Sequence, residues 1–243
     1  MNRVKTDIDG FDELVEGGFP ELSSVLLSGS PGTGKTIFSL QYLYNGAKKH
    51  NENGIYVSLS ESVDQLKKNA KIVGMDYDKI SDKVRIIAPN MDNLGEFMKM
   101  LKKTSDEVKP KRMVIDSLTT AETYAPTLIN IKGLNFMEVL DGLPVFTPPI
   151  LGNAITRRAV DRLIRELKKL DCTTIYISEL LKDSDALSRD TVSEFLVDGV
   201  IVLSRALIGN KAQRVLLVEK MRGTKQDENI HKFEITDKGV VVK

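Results

Sequence analysis

Short runs of apolar, β-branched residues alternate along this chain with longer stretches in which apolar positions recur every three or four residues. Runs at Ser23–Gly29, Gly54–Leu59, Val84–Ala88, Arg112–Asp116 and Thr173–Ser178, each bounded by polar or turn residues, predict strands. Lys35–Lys48, with Ile37, Leu40, Tyr44 and Ala47 on one face, predicts a helix. A second helix is expected from Ser62, where Ser62 and Gln65 have capping-box spacing, and a later one carries Ile155, Ala159, Leu163, Leu167 and Leu170. Strands separated by helices imply right-handed crossovers and a parallel sheet covered on both faces. Beyond Val197 the pattern changes. Val197–Ser204, Arg214–Glu219, Lys232–Ile235 and Val240–Val242 follow one another without helical runs and predict antiparallel hairpins extending one side of the sheet.

Length sharpens this picture. At 243 residues the chain suits one α/β domain over 1–243. Within it, Thr120–Gly152 holds Pro126, Pro144, Pro148 and Pro149, four of the eight prolines, with few charges. A stretch of that length without periodicity reads as an insertion, with a short helix around Leu134–Leu140, and is a candidate contact for a protein partner. The composition, 41% apolar and 28% charged, is that of a water-soluble globule. The sole cysteine, Cys172, excludes an internal disulfide. No apolar run reaches membrane-spanning length, and the N-terminus lacks an apolar leader, so a cytoplasmic protein without membrane contact is expected.

The chemistry concentrates at the end of the first strand. Gly29, Ser30, Pro31, Gly32, Thr33, Gly34, Lys35 and Thr36 match the Gly-x4-Gly-Lys-[Ser/Thr] pattern, placed after a strand and opening a helix as the pattern requires. Glycines let backbone N–H groups turn toward a phosphate, and the helix N-terminus adds positive potential. Lys35 is suited to the β- and γ-phosphates of a nucleoside triphosphate, and the Thr36 hydroxyl to Mg²⁺. By chance the four constrained positions recur in roughly 1% of chains this long, given glycine at about 7% of residues. Asp116, closing an apolar strand, is the second candidate for Mg²⁺.

Beyond the loop, Thr6–Leu14, Gly17-Gly18-Phe19-Pro20, Asp198–Leu203 and Glu219-Lys220-Met221-Arg222-Gly223-Thr224 together resemble KaiC-like ATPases of the RecA superfamily. The resemblance covers nearly all of the chain outside the insertion. It implies a RecA-like P-loop fold, ATP as the nucleotide, and assembly into a homo-oligomer, with a hexamer favoured and ATP at subunit boundaries. A Lys-x-Arg pair on a late strand then reaches the neighbour's triphosphate, and Lys220 and Arg222 match that pair. Ser178-Glu179 matches the γ-phosphate-sensing position, with Ser178 the candidate for binding. Clock KaiC proteins carry two such domains, so autokinase activity is not implied.

The resemblance breaks at water activation. Relatives place glutamate where Tyr56-Val57-Ser58-Leu59-Ser60-Glu61 places Ser60, and a hydroxyl is a far poorer proton acceptor than a carboxylate. Glu61 is the substitute, yet one step along an extended strand turns a side chain to the opposite face, so a bend is needed to bring it to the nucleotide. Slow hydrolysis is the expectation. The alternatives are a nucleotide-gated scaffold with little hydrolysis and a DNA-associated recombination regulator.

Charge argues against nucleic acid. Thirty-five basic and thirty-four acidic residues leave a net charge of +1. The two loops that would face DNA in a recombinase hold Glu122, Lys132, Glu138 and Asp141, and Glu179, Lys182, Asp183, Asp185, Arg189, Asp190 and Glu194, both net acidic. Tyr124, Phe136 and Phe146 in the first are aromatic but more suited to apolar contacts. Arg158, Arg162, Arg165 and Lys169 form a basic stripe of the kind a solvated helix face carries.

Overall fold

The computed structural model describes residues 2–90, 94–123, 149–180, 186–208 and 211–243. Its centre is a sheet of nine strands among these residues, in the order β11-β10-β9-β8-β3-β7-β6-β4-β5. The parallel part consists of β3 (Ser24–Gly29), β4 (Gly54–Ser58), β5 (Val84–Ile87), β6 (Arg112–Asp116), β7 (Thr173–Glu179) and β8 (Gly199–Ile208). Three antiparallel strands, β9 (Lys211–Met221), β10 (His231–Thr236) and β11 (Gly239–Val242), continue it beyond β8. The expected α/β class, parallel sheet and C-terminal antiparallel extension are therefore present. Two short strands of the leader, β1 (Arg3–Val4) and β2 (Phe19–Pro20), pair separately, an element too brief to show a period.

Helices α1 (Lys35–His50), α2 (Val63–Ile72), α3 (Leu94–Val108), α4 (Leu118–Thr123), α5 (Pro149–Leu167) and α6 (Ser193–Leu196) connect the strands. Ser62 caps α2, its side chain accepting the Gln65 amide, as the spacing predicts. Both ends of the stretch expected as an insertion are helical, residues 120–123 in α4 and 149–152 in α5. The helix expected at 134–140, Tyr124, Phe136, Phe146, Lys132, Glu138 and Asp141 lie outside the described residues, as do Lys182, Asp183 and Asp185 of the second loop.

Two apolar layers sandwich the sheet. One gathers Phe11, Phe19, Phe38, Leu40 and Tyr42 with β3, β9 and β11, and the other gathers Phe97, Leu101, Leu163 and Leu167 against β6 and β7. Helix α1 departs from its one-faced expectation: every residue from Phe38 to Ala47 is buried. The reason is tertiary. Gln41 on its far side donates to the Val240 carbonyl at 3.2 Å and accepts the Val240 amide at 2.6 Å, so the C-terminal hairpin covers what would otherwise be a wet face. On α5, Arg165 pairs with Asp161, and just beyond it Lys169 pairs with Glu166, so half of the basic stripe is neutralised by its own surroundings. Among the described residues no helix is long and apolar enough to cross a membrane.

Candidate nucleotide-binding site

Four adjacent parallel strands end at one place. Gly29 on β3 is level with Glu179 on β7, and Ser58 on β4 is level with Asp116 on β6. Ligands of open α/β sheets bind outside such carboxyl ends. Here the strand ends open into a pocket of about 450 Å³. Lys35, Thr36, Glu61, Asp116 and Glu179 supply its charged and polar lining, and Ile37, Ile72 and Ile235 an apolar wall.

The loop from Gly29 to Thr36 leaves β3 and enters α1. Gly34 is the residue before the helix, at φ 113°, a conformation that L side chains rarely adopt. A Cβ there would come within 2.9 Å of Ile235 Cδ1. Thr33 Oγ1 donates to the Ser30 carbonyl at 2.9 Å and holds the loop curled. Arg205 on β8, far from the glycine-rich motif in sequence, donates to the Gly32 carbonyl at 2.9 Å from outside. Lys35 is buried, its ammonium donating to the Gly29 and Ser30 carbonyls at 2.8 and 3.1 Å. Burial pulls its pKa below the ordinary lysine value, against the opposing pull of Glu179 and Asp116.

Thr36 Oγ1 lies 3.3 Å from Asp116 Oδ2, and the Tyr56 hydroxyl donates to the same oxygen at 2.5 Å. Burial raises the Asp116 carboxyl above the usual carboxylate range, while the Tyr56 and Thr36 hydrogen bonds oppose the rise. A hydroxyl and a carboxylate held this close form a hard oxygen set of the kind Mg²⁺ takes alongside phosphates and water.

Glu61 reaches the pocket through a bend. Strand β4 stops at Ser58, whose hydroxyl donates to the Glu61 carbonyl at 2.6 Å and accepts the Glu61 amide at 3.0 Å. The turn carries both Ser60 and Glu61 to the pocket lining, and Asn69 on α2 donates to Glu61 Oε2 at 3.2 Å. Ser178 and Glu179, the pair at the expected sensing position, are placed differently. The Ser178 side chain is fully buried and its hydroxyl accepts the Arg189 amide at 3.3 Å, while Glu179 and Ile177 line the pocket. Strand alternation is the cause: residues 177 and 179 share one face of β7 and 178 takes the other.

Lys220 and Arg222 stand apart from the pocket of their own chain. Lys220 donates to the Glu194 and Val197 carbonyls at 2.8 and 2.7 Å. The Arg222 amide donates to the Asp198 carbonyl at 2.8 Å, but its guanidinium makes long contacts, 3.4 Å each, to Asp198 Oδ1 and the Phe195 carbonyl, and the side chain is 58% exposed. Burial and the neighbouring Arg222 both lower the Lys220 pKa.

The family model described as KaiC ATPase matches residues 4–142 and 137–243 of this chain. The chain belongs to the KaiC ATPase family. Its relatives include a UPF0273 protein of Methanocaldococcus jannaschii, 37% identical over 100% of this chain and 96% of that protein. A UPF0273 protein of Thermotoga maritima is 34% identical over the same shares of the two chains. The circadian clock oscillator protein KaiC of Synechococcus elongatus is 29% identical across 98% of this chain, but the match spans only 43% of the clock protein. Among solved structures, a KaiC-like protein of Pyrococcus horikoshii superposes with a TM-score of 0.81 at 32% identity, covering 100% of this chain and 99% of that one.

Proposed function

We propose that the chain is a single KaiC-type ATPase domain over 1–243 that binds Mg-ATP at Gly29–Thr36 and hydrolyses it slowly. The observation that carries this reading is the gathering of Lys35, Thr36, Asp116 and Glu61, from three separate segments, around one pocket. Backbone N–H groups of the loop and the Lys35 ammonium hold the phosphates, and Thr36 with Asp116 holds the metal, which neutralises phosphate charge. Glu61 orients a water and accepts its proton as the water oxygen bonds to the γ-phosphorus. The bond to the β–γ bridging oxygen breaks, and ADP and inorganic phosphate leave. Ser60 stands where relatives place the water-orienting glutamate, so Glu61 alone does the work and turnover is slow. Of the Ser178-Glu179 pair that resembles the sensing position, Glu179 lines the pocket and senses the γ-phosphate.

In the same reading the protein is a cytoplasmic homo-oligomer, with a hexamer favoured. Arg222, exposed and loosely held, reaches the neighbour's triphosphate, and Lys220 shapes the turn that presents it. Residues 120–152 contact a protein partner rather than nucleic acid.

Steady-state ATPase assays with nucleotide-binding measurements test the proposal. Lys35→Ala should lose both binding and turnover. Glu61→Gln should keep binding but lose turnover by at least about 100-fold, the scale of general-base catalysis, and Ser60→Glu should raise it. Wild-type turnover no higher than that of Lys35→Ala would replace hydrolysis with nucleotide-gated binding. Light scattering with and without ATP tests the assembly, and a monomer in both conditions removes the role in trans.

A further inference from the structure

Tyr56 plays no part in the reaction just described, yet its buried hydroxyl ends on the carboxylate that serves the metal. We propose that Tyr56 is a positioning residue: its hydroxyl fixes Asp116 so that the carboxylate and the Thr36 hydroxyl are presented to Mg²⁺ as a preformed pair. The inference rests on the reading of this pocket as a Mg-nucleotide site.

The geometry is specific. Tyr56 lies on β4 level with Val114, two residues before Ser58, which is level with Asp116. Its ring is fully buried between α1 and the sheet, and its oxygen lies 2.5 Å from Asp116 Oδ2. Thr36 Oγ1 approaches that same oxygen at 3.3 Å. Both hydroxyls converge on Oδ2, which leaves Oδ1 without a side-chain donor among the described residues and open to a cation or its water. A phenol donating to a carboxylate is a charge-assisted bond, stronger than a neutral one, and a buried phenol cannot exchange that partner for solvent. A requirement for an aromatic ring at this strand position is met equally well by phenylalanine. The hydroxyl is the part that needs a reason, and its partner supplies one. Groups that orient a metal-binding carboxylate from behind change metal affinity by about 10- to 100-fold when removed.

The test compares wild type, Tyr56→Phe and Tyr42→Phe. Tyr42 is an equally buried tyrosine whose hydroxyl donates to the Thr173 carbonyl at 3.2 Å, away from Asp116, so Tyr42→Phe controls for loss of a buried phenol bond. A fluorescent ATP analogue is titrated in EDTA and then over a range of Mg²⁺ concentrations, and melting temperatures are recorded without nucleotide. For Tyr56→Phe the Mg²⁺ concentration at half-maximal enhancement of binding should rise about tenfold, with affinity in EDTA unchanged. Tyr42→Phe should keep the wild-type Mg²⁺ midpoint. An unchanged midpoint in Tyr56→Phe, or a loss of affinity in EDTA as large as the loss in Mg²⁺, overturns the proposal and makes Tyr56 a packing residue. If the wild type itself binds the analogue no better with Mg²⁺ than in EDTA, the magnesium reading of the pocket fails before this inference is reached.

Discussion

The Ser58 hydroxyl grips Glu61 at both ends, donating to its carbonyl and accepting its amide. This clamp turns the chain after β4 and sets the only carboxylate of the Ser60-Glu61 pair into the pocket. Ser58→Ala removes both bonds from a buried site. Each is worth about 1 kcal/mol, so a modest fall in melting temperature accompanies the change. The larger effect should fall on turnover, because a base displaced by about 1 Å costs on the order of 100-fold. ATP affinity, set by the loop, should stay within about twofold of wild type by the same separation of binding from positioning. Single-turnover kinetics beside equilibrium binding check the split, and equal losses in both would show that the clamp supports the loop instead.

The strand ends show what was legible in the sequence and what was not. Thr36 and Asp116 could be paired from afar because each closes or opens an apolar run whose period is visible locally. The need for a bend before Glu61 was legible, but its form was not, because it depends on the Ser58 hydroxyl bonding both the amide and the carbonyl of Glu61. Ser178 and Glu179 differ only in parity, and parity is decided by where β7 begins pairing. Helix α1 looked one-faced because its second cover, β11, lies 199 residues further along at the Gln41–Val240 contact. Lys220 and Arg222 share a motif, yet tertiary carbonyls claim one of them.

That difference predicts different mutants. Lys220 bridges the end of α6 to β9 through two carbonyls, and a charged donor to such groups contributes about 1.5–3 kcal/mol in total. Lys220→Met should therefore lower the melting temperature by several degrees. Arg222→Ala removes long, exposed contacts worth little, so its melting temperature should match wild type within about a degree. Under the proposed role in trans it should nevertheless lose most ATPase activity while still binding ATP. Thermal denaturation and turnover measured on both variants distinguish a staple from a finger.

Arg112 opens the strand that ends in Asp116, and it does so fully buried. Its Nε donates to Glu52 Oε2 at 2.6 Å, Nη1 donates to the Tyr42 carbonyl at 2.8 Å, and the guanidinium lies 4.7 Å from the centre of the Tyr42 ring. Glu52→Ala leaves this charge with a carbonyl and a ring face but no anion. Stripping a partner from a buried pair costs about 3–5 kcal/mol, and the partial exposure of Glu52 places this case at the lower end. Urea denaturation should show a correspondingly lower midpoint with an unchanged slope. Gly46 packs on the same guanidinium so closely that a Cβ would lie 2.3 Å from Arg112 Nε, so Gly46→Ala should destabilise through the same residue.

Glu122 on α4 gives the protein a pH-dependent weak point outside the pocket that Lys35 and Asp116 line. It lines a second cavity of about 620 Å³ with Arg157, Arg189 and Asp190. Burial, with the Asp190 carboxylate next in effect, pushes its pKa from 4.5 up to about 7, against the opposing pull of Arg189. In the unfolded chain the group ionises at its ordinary value. Below about pH 4.5 it is protonated in both states and the neutral form is tolerated. As pH rises toward 7 the unfolded state releases its proton first, so the stability present at low pH is lost across this interval and stays lost above it. Glu122→Gln, which keeps the neutral shape, should match wild type at pH 4 and exceed it at pH 8. The gain should be roughly 1–2 kcal/mol, since the group is only partly buried and solvent screens it. Chemical denaturation of both proteins at the two pH values reads the difference directly. A variant less stable than wild type at pH 8 would mean that attraction to Arg189 outweighs the cost of burying the charge.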